Sequence, residues 1–138
     1  MRRAAGAGTA EFRQLPGGLL ITVQLENMTE GAHGIHIHET GACTPDLSSA
    51  NGHFAPEGRD HGFADTETPH AGDLPNIHVG SDGRATASFL NTRASLSGGE
   101  TAILDTDDAA LIVHAEPDDY QSASSAGDRV ACGVIRPE

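Results

Sequence analysis

The sequence predicts an all-β fold, and three observations support this prediction. Several short segments alternate apolar and polar residues with a period of two, as half-buried strands do. The 17 glycines and 7 prolines are scattered between these runs, which is typical of a chain with many turns. No window has a convincing helical period. A chain of 138 residues fits one core, so we expect a single domain spanning residues 1–138.

The alternation places six strands. Residues 8–14 and 19–26 flank a Pro-Gly-Gly turn and form a predicted hairpin. The other strands are predicted at residues 33–39, 84–90, 110–115 and 130–135, with a further short strand near Ile103. Two long stretches, residues 40–79 and 116–127, have no regular pattern. Long loops in a compact domain are usually functional or disordered.

Composition and charge exclude several classes of partner. The net charge is −12, and all eight basic residues are arginines. Such a chain is repelled by nucleic acid and by anionic membranes, and it has no basic patch with interleaved aromatic residues. No apolar run reaches the length of a membrane span, and the start of the chain lacks the apolar region of a signal peptide. We therefore expect neither a nucleic-acid nor a membrane partner.

Two histidines in the third predicted strand are the first candidates for a functional site. His36 and His38 are two residues apart, so both side chains lie on one face, while Ile37 points to the other. His33 falls on the opposite face. Two neighbouring imidazoles are costly to place without a shared ligand, and they form a natural platform for copper or zinc.

Further candidate ligands lie in the first long loop and in a later strand. His53, His61 and His70, with Asp73 three residues after His70, share one loop. Each histidine alone is more typical of a solvated surface residue, and His114, in an apolar strand, is more typical of a core residue. As a set they are poorly explained by chance. Imidazoles with one carboxylate suit zinc, and an all-imidazole set suits copper(II).

The two cysteines, Cys43 and Cys132, allow one disulfide. Two buried free thiols are the alternative, which is common in cytosolic proteins. We favour the bridge, which would stabilise the fold by roughly 4 kcal/mol in the chain-entropy model.

Six segments together resemble the copper,zinc superoxide dismutases. Residues 31–43 (GAHGIHIHETGAC) resemble the copper-ligand strand of that family, and residues 52–56 (GHFAP) resemble its bridging-histidine segment. Residues 61–62 and 70–74 (HAGDL) resemble the zinc loop. Residues 111–114 (LIVH) with 118–119 resemble the strand of the last copper ligand, and residues 127–134 (GDRVACGV) resemble the C-terminal signature. The resemblance runs in order from about residue 8 to the end, and the loop after His114 looks bacterial.

The resemblance implies a ligand for each position of two metal sites. His53 would bridge the two metals through its two ring nitrogens. The full copper set would be His36, His38, His53 and His114, and the full zinc set would be His53, His61, His70 and Asp73.

Several further roles follow from the same resemblance. Asp118 would accept hydrogen bonds from His36 and His61 and fix their tautomers. Arg129 would flank the copper channel and hold the incoming anion. The remaining implications are a Cys43–Cys132 disulfide, a structural role for His33 between strands, and a surface position without a role for His78.

The implied fold is a Greek-key β-barrel or sandwich of eight antiparallel strands with two long functional loops. The implied activity converts superoxide into dioxygen and hydrogen peroxide by cycling Cu(II) and Cu(I), with His53 released and protonated in the cycle and zinc structural. This chain begins just before the second strand of that fold, so the first strand is expected to be missing or vestigial. A sheet edge would then be exposed. Either a neighbouring subunit covers it in a homo-oligomer, or the natural chain is longer.

The competing interpretation is a copper- and zinc-binding or copper-delivery module without dismutase activity. The presence of all four copper histidines and of Arg129 favours the enzyme. The presence of His61, His70 and Asp73 argues against a copper-only variant. A zinc-stabilised domain with no copper would be the purely structural alternative. We expect a periplasmic or extracellular location if a signal was removed, and a cytoplasmic one is the alternative.

Overall fold

The structure of the chain is a computed structural model that describes residues 8–44, 46–55, 70–99, 101–105, 107–121 and 125–136. Every pairing between its strands is antiparallel within these residues, so the all-β prediction is confirmed. A short 3-10 helix spans Leu47–Ala50. The strands are β1 Gly8–Leu15, β2 Gly18–Leu25, β3 Gly31–His33, β4 Ile35–His38, β5 Ile77–Val79, β6 Ala85–Asn91, β7 Ala109–His114 and β8 Arg129–Ile135.

The strands form two three-stranded sheets and one two-stranded sheet. The orders are β1-β2-β6, β4-β7-β8 and β3-β5. Alternate residues of β2 are buried, from Leu19 to Leu25, and they pack with Ile35 and Ile37 of β4 in the main core. Two sheets whose inner faces pack against each other in one core form a β-sandwich or barrel. The connection from β2 to its neighbour β6 crosses three intervening strands, as the Greek-key prediction requires.

The predicted hairpin of β1 and β2 is confirmed, but three details of the strand prediction are wrong. The predicted strand 33–39 is divided at Gly34, whose backbone instead bonds with Glu116 and His114 from the other side of the fold. Ile103 is buried but lies in a bend next to a single bridge between Ser95 and Ala102. The loop 40–79 contains β5 and the 3-10 helix, which are too short to produce a periodic signal.

The predicted disulfide is confirmed. Cys43 and Cys132 are bonded, with their Cα atoms 5.9 Å apart and a separation of 89 positions in the sequence. Both lie in a small second core with Ala50 and Ile112. The bridge fixes the loop after β4 to strand β8. A closed loop of this length stabilises the fold by roughly 4 kcal/mol in the chain-entropy model.

Strand β1 lies at the edge of its sheet in the described part of the chain. The prediction that Met1–Gly6 form no proper strand falls outside the described residues. Among the described residues, no helix is long and apolar enough to cross a membrane.

Candidate metal centre

Three buried histidines from neighbouring strands form the centre of the site. His36 and His38 come from β4, and His114 comes from the end of β7, which pairs with β4. Their exposed fractions are 0%, 1% and 5%. The ring centroids of His36 and His114 are 5.0 Å apart, and those of His38 and His114 are 5.6 Å apart. The i, i+2 spacing predicted this shared face for His36 and His38, and strand pairing adds His114.

Each of these rings has one nitrogen fixed by an oxygen atom. Nδ1 of His38 lies 2.8 Å from the Asn51 carbonyl, and Nδ1 of His114 lies 3.1 Å from the Gly127 carbonyl. A carbonyl only accepts, so both rings carry a proton on Nδ1 and a lone pair on Nε2. Nε2 of His36 lies 2.8 Å from the Asp118 carboxylate, which leaves Nδ1 of His36 as the metal-facing nitrogen.

The Nε2 atoms of His38 and His114 are buried and make no hydrogen bond within the described residues. Burial lowers the pKa of His38 to about 2, although its bond to the Asn51 carbonyl opposes this. Burial also lowers the pKa of His114, to about 4, and that of His36. The rings are therefore neutral near pH 7, with lone pairs available to a metal.

His53 connects this cluster to a second one. Its ring stacks on His36 at a centroid distance of 4.2 Å, and it lies 5.0 Å from the ring of His38. On its other side, Nδ1 of His53 lies 3.2 Å from the Asp73 carboxylate and 3.3 Å from Nδ1 of His70. Among the described residues, nitrogen and oxygen atoms within 4.8 Å of one another form two groups that share His53: His36, His38, His53 and His114, and then His53, His70 and Asp73.

The second group is held on β4 by backbone hydrogen bonds. Ile37 donates to Gly72 over 2.8 Å, Phe54 donates to Ile37 over 2.8 Å, and Gly72 donates to Phe54 over 2.9 Å. A Cβ at Gly72 would lie 2.3 Å from the Ile37 carbonyl oxygen, so no larger residue fits there without a backbone shift. Strand β4 therefore positions both groups, one through its side chains and the other through its backbone.

Two side chains at the end of β6 also hold the turn that carries His70 and Asp73. The Asn91 amide donates to the Ala71 carbonyl over 2.7 Å, and Asn91 is buried. The Arg93 guanidinium donates to the Asp73 carbonyl over 2.5 Å and to the His70 carbonyl over 3.4 Å. Neither residue was predicted from the sequence. Both side chains donate to backbone carbonyls. Every residue has a backbone carbonyl, so the sequence gives no sign of these contacts.

Asp118 is fixed by its own surroundings. It is buried, and its second oxygen accepts from the Tyr120 backbone N–H over 2.8 Å and from the Ser125 hydroxyl over 3.3 Å. Asn76 bonds with both the backbone N–H and the carbonyl of Asp118. The carboxylate is therefore held in place to orient His36. The contacts from Asn76 were also not predicted from the sequence, because the two segments are 42 residues apart.

Arg129 lies beside the histidines and is half-buried. Its guanidinium donates to the Leu47 carbonyl over 2.8 Å and to the Asn51 carbonyl over 2.6 Å. The Asn51 carbonyl also accepts from His38, so Arg129 and His38 are held by the same carbonyl oxygen. The positive charge of Arg129 contributes to the lowered pKa of His38 and of His114, and burial lowers the pKa of Arg129 itself.

The remaining histidines are His33 and His78, which lie apart from the two groups, and His61, which lies outside the described residues. His33 is buried, and its ring nitrogens lie 2.7 Å from the carbonyls of His114 and Thr29, so it connects segments of the fold. His78 is exposed on β5, as expected. His61 lies outside the described residues, so its predicted role as a zinc ligand and partner of Asp118 stays a prediction.

The donor sets fit the two metals that the resemblance implies. The first group offers four imidazoles and no thiolate, which suits copper(II). The second offers two imidazoles and one carboxylate, which suits zinc with one further ligand. A buried nitrogen without a hydrogen bond costs about 1–3 kcal/mol, and a metal ion at the Nε2 atoms of His38 and His114 removes that cost.

Comparison with known proteins identifies the family. The model of the family "Copper/zinc superoxide dismutase (SODC)" matches residues 6–135. The chain belongs to this family. Its curated relatives include the "Superoxide dismutase [Cu-Zn] 1" of Aquifex aeolicus strain VF5, which is 42% identical over 134 residues. That match covers 94% of this chain and 79% of the relative. The "Superoxide dismutase [Cu-Zn]" of Caulobacter vibrioides is also 42% identical over 136 residues, covering 94% and 78%.

Solved structures of superoxide dismutases and related proteins have the same fold. A SOD-like protein from Bacillus subtilis is 37% identical, with a TM-score of 0.86, and the match covers 94% of this chain and 90% of that one. The Cu/Zn superoxide dismutase of Brucella abortus is 30% identical, with a TM-score of 0.78, and the match covers 94% and 88%. The predicted Greek-key superoxide dismutase fold is therefore confirmed.

Proposed function

We propose that the two groups of ligands are the copper and zinc sites of a working superoxide dismutase. The observation that carries the proposal is the pair of buried Nε2 atoms of His38 and His114, which face the same small volume and bond to no described residue. The copper ligands are His36, His38, His53 and His114, and the zinc ligands are His53, His61, His70 and Asp73.

The protein is an oxidoreductase that converts superoxide into dioxygen and hydrogen peroxide, with copper and zinc as its cofactors. Copper, when bound, supplies the one-electron redox chemistry. The residues supply geometry and protons. The carbonyls of Asn51 and Gly127 and the carboxylate of Asp118 fix the rings of His38, His114 and His36, so the donor atoms are positioned before any metal arrives.

We assign His53 the transfer of a proton to the substrate. Its Nδ1 lies on the side of Asp73 and His70, which leaves Nε2 to face the three strand histidines. In the proposed cycle, Nε2 of His53 takes up a proton from solvent and gives it to the reduced substrate. Hydrogen peroxide needs two protons to leave as a neutral molecule, and solvent supplies the second one. The carboxylate of Asp73 keeps the ring oriented while the Nε2 proton moves.

Arg129 is assigned the binding of the superoxide anion. The chain carries a net charge of −12, so an anion needs a local cation to approach the site. Burial is the main cause of the lowered pKa values of His38 and His114, and the charge of Arg129 lowers both further. Its bonds to the carbonyls of Leu47 and Asn51 hold the guanidinium beside the ligands. Superoxide dismutase is itself a well-known example of electrostatic steering of a charged substrate, so the effect is general for this chemistry.

A metal-binding or copper-delivery module without dismutase activity is not favoured. The relatives that are 42% identical over most of the chain are named superoxide dismutases. In addition, all four predicted copper histidines lie in one group.

We further propose that residues 1–138 form one domain that acts in the periplasm or outside the cell. The Cys43–Cys132 disulfide supports this location, because disulfides persist in oxidising compartments. The net charge of −12 supports the absence of nucleic-acid and membrane partners.

The test is superoxide dismutation by purified protein loaded with copper and zinc, together with its metal content. His53→Ala should bind copper but lose at least about 100-fold in rate, because general acid catalysis contributes roughly 10²–10⁴-fold. His78→Ala, at an exposed histidine, is the matched control and should retain full activity. Two bound metals without dismutation in the unmodified protein would contradict the enzyme and support the binding module.

A further inference from the structure

The carbonyl oxygen of Asn51 holds two parts of the metal centre at once. It lies 2.6 Å from the Arg129 guanidinium and 2.8 Å from Nδ1 of His38. A carbonyl oxygen has two lone pairs, so these two donors use its full capacity. The direction of this one carbonyl therefore sets where the guanidinium and the ring both lie.

The backbone of Asn51 has a conformation that is nearly confined to glycine. Its φ is 60° and its ψ is −150°, which a residue with a Cβ rarely adopts. The next residue is a glycine, Gly52, but its own φ is not positive. A conformation of this kind persists in a residue with a side chain only where the surrounding contacts enforce it. Contacts around Asn51 must therefore hold its backbone in place.

Hydrogen bonds connect Asn51 and its two neighbours to the segment that follows β4. The side-chain amide of Asn51 donates to the Thr40 hydroxyl over 2.8 Å. The Ala50 carbonyl accepts from the backbone N–H of the same threonine over 3.2 Å. The Gly52 carbonyl accepts from the Glu39 backbone N–H over 2.9 Å. The two backbone bonds fix the residues on either side, and the side-chain bond fixes the residue between them.

We propose that Asn51 is a positioning residue for both Arg129 and His38, and that it acts through the hydrogen bond between its side-chain amide and the Thr40 hydroxyl. This bond holds the backbone in the glycine-like conformation and so points the carbonyl at both donors. The inference rests on the proposed function, in which Arg129 binds the superoxide anion and His38 binds copper. Loss of the bond should therefore weaken anion binding and loosen the His38 ring together.

Anion binding to the copper- and zinc-loaded protein tests the role of this bond. Azide is a small anion with the same charge as superoxide, and the visible absorption of copper reports its binding. Asn51→Ala removes the amide and should raise the azide dissociation constant about three- to tenfold, the effect of losing one hydrogen bond. Asn27→Ala is the matched control, because Asn27 also has a positive φ, of 57°, and lies outside both ligand groups.

Variants of Thr40 separate the effect of the hydrogen bond from the effect of backbone strain. Thr40→Val removes the hydroxyl and should weaken azide binding as much as Asn51→Ala does. Thr40→Ser keeps the hydroxyl and should bind azide like the unmodified protein. The double variant Thr40→Val/Asn51→Ala should lose no more affinity than Thr40→Val alone, because both changes remove the same bond. Circular dichroism shows whether each variant is folded.

A second measurement reports on the His38 ring and does not depend on activity. Reduction of the loaded protein makes both metals diamagnetic, so NMR can follow the exchange of the His38 Nδ1 proton with water. This proton should exchange faster in Asn51→Ala and Thr40→Val than in the unmodified protein, and Thr40→Ser should not change its rate.

Weaker azide binding and faster proton exchange in both variants, with neither change in Asn27→Ala, support the proposal. Unchanged azide affinity in Asn51→Ala overturns it, as do additive losses in the double variant. Loaded protein that binds azide without dismuting superoxide would contradict the proposed function alone, and the azide affinities of the variants would still decide the role of Asn51.

Discussion

The two ligand groups of this protein are built on different kinds of structure. The rings of His36, His38 and His114 project from paired strands and are at most 5% exposed. In the other group, His70 and Asp73 lie in a loop, and the His70 side chain is 18% exposed. The strand group is positioned by regular β pairing, whereas the loop group depends on separate hydrogen bonds from β4 and β6.

This difference predicts which kind of change weakens metal binding at each group. Strand pairing fixes many backbone atoms together, so a single change beside the strand group alters one ligand and leaves the others in place. The turn at residues 70–73 is held by a few contacts, so losing one of them should move its ligands together. We therefore expect copper binding to be sensitive to ligand orientation, and zinc binding to be sensitive to the contacts that hold the loop.

The largest expected effect is on the orientation of a strand ligand. Asp118→Asn removes the charge that holds His36 and should weaken copper binding by about 10- to 100-fold. Zinc affinity should fall as well, because Asp118 is also predicted to orient the zinc ligand His61. Copper affinity measured by competition with a chelator checks this. Asp119→Asn is the neighbouring control, since Asp119 is exposed. Unchanged copper affinity would contradict the role of Asp118 in holding His36.

An intermediate effect is expected from crowding the loop group. Gly72→Ala places a Cβ against the Ile37 carbonyl and should lower the free energy of unfolding by about 1–3 kcal/mol. Zinc affinity should fall about tenfold or more, with a smaller loss of copper affinity. Denaturant unfolding and zinc titration measure both. Gly52→Ala is the matched control, because nothing lies within 4 Å of a Cβ there. Equal behaviour of the two variants would show that the Gly72 contact does not position the loop.

The smallest expected effect is from the contacts of β6. Arg93→Met removes the two hydrogen bonds to the His70 and Asp73 carbonyls and should lower zinc affinity by about three- to tenfold, since one hydrogen bond contributes about 0.5–1.5 kcal/mol. Arg84→Met, at an exposed arginine, should leave zinc affinity unchanged. A loss of copper affinity as large as the loss of zinc affinity would contradict a specific effect on the loop.

The sequence predicted the strand group better than the loop group for a physical reason. The period of two in β4 places His36 and His38 on one face without any knowledge of the tertiary fold. The positions of His53, His70 and Asp73 depend on loop contacts between distant segments, and no local pattern encodes those contacts. The cluster of ligand-type residues in one loop made them candidates, and the family resemblance assigned each of them to a metal site.

The same reason explains the errors in the fold prediction. Long alternating strands such as β1 and β2 were placed to within one residue at each end. The three-residue strand β5 gives too few alternations to be recognised. The division of the third predicted strand depends on bonds from Gly34 to His114 and Glu116, far later in the chain. Such bonds are visible only in the folded structure.

The most direct test of two separate ligand groups is anomalous X-ray diffraction from crystals loaded with copper and zinc, recorded at the absorption edge of each metal. We predict a copper peak among Nδ1 of His36 and Nε2 of His38 and His114, and a zinc peak beside Nδ1 of His53, His70 and Asp73. A zinc peak among the strand histidines with no copper, or one metal in both positions after loading with both, would contradict this assignment.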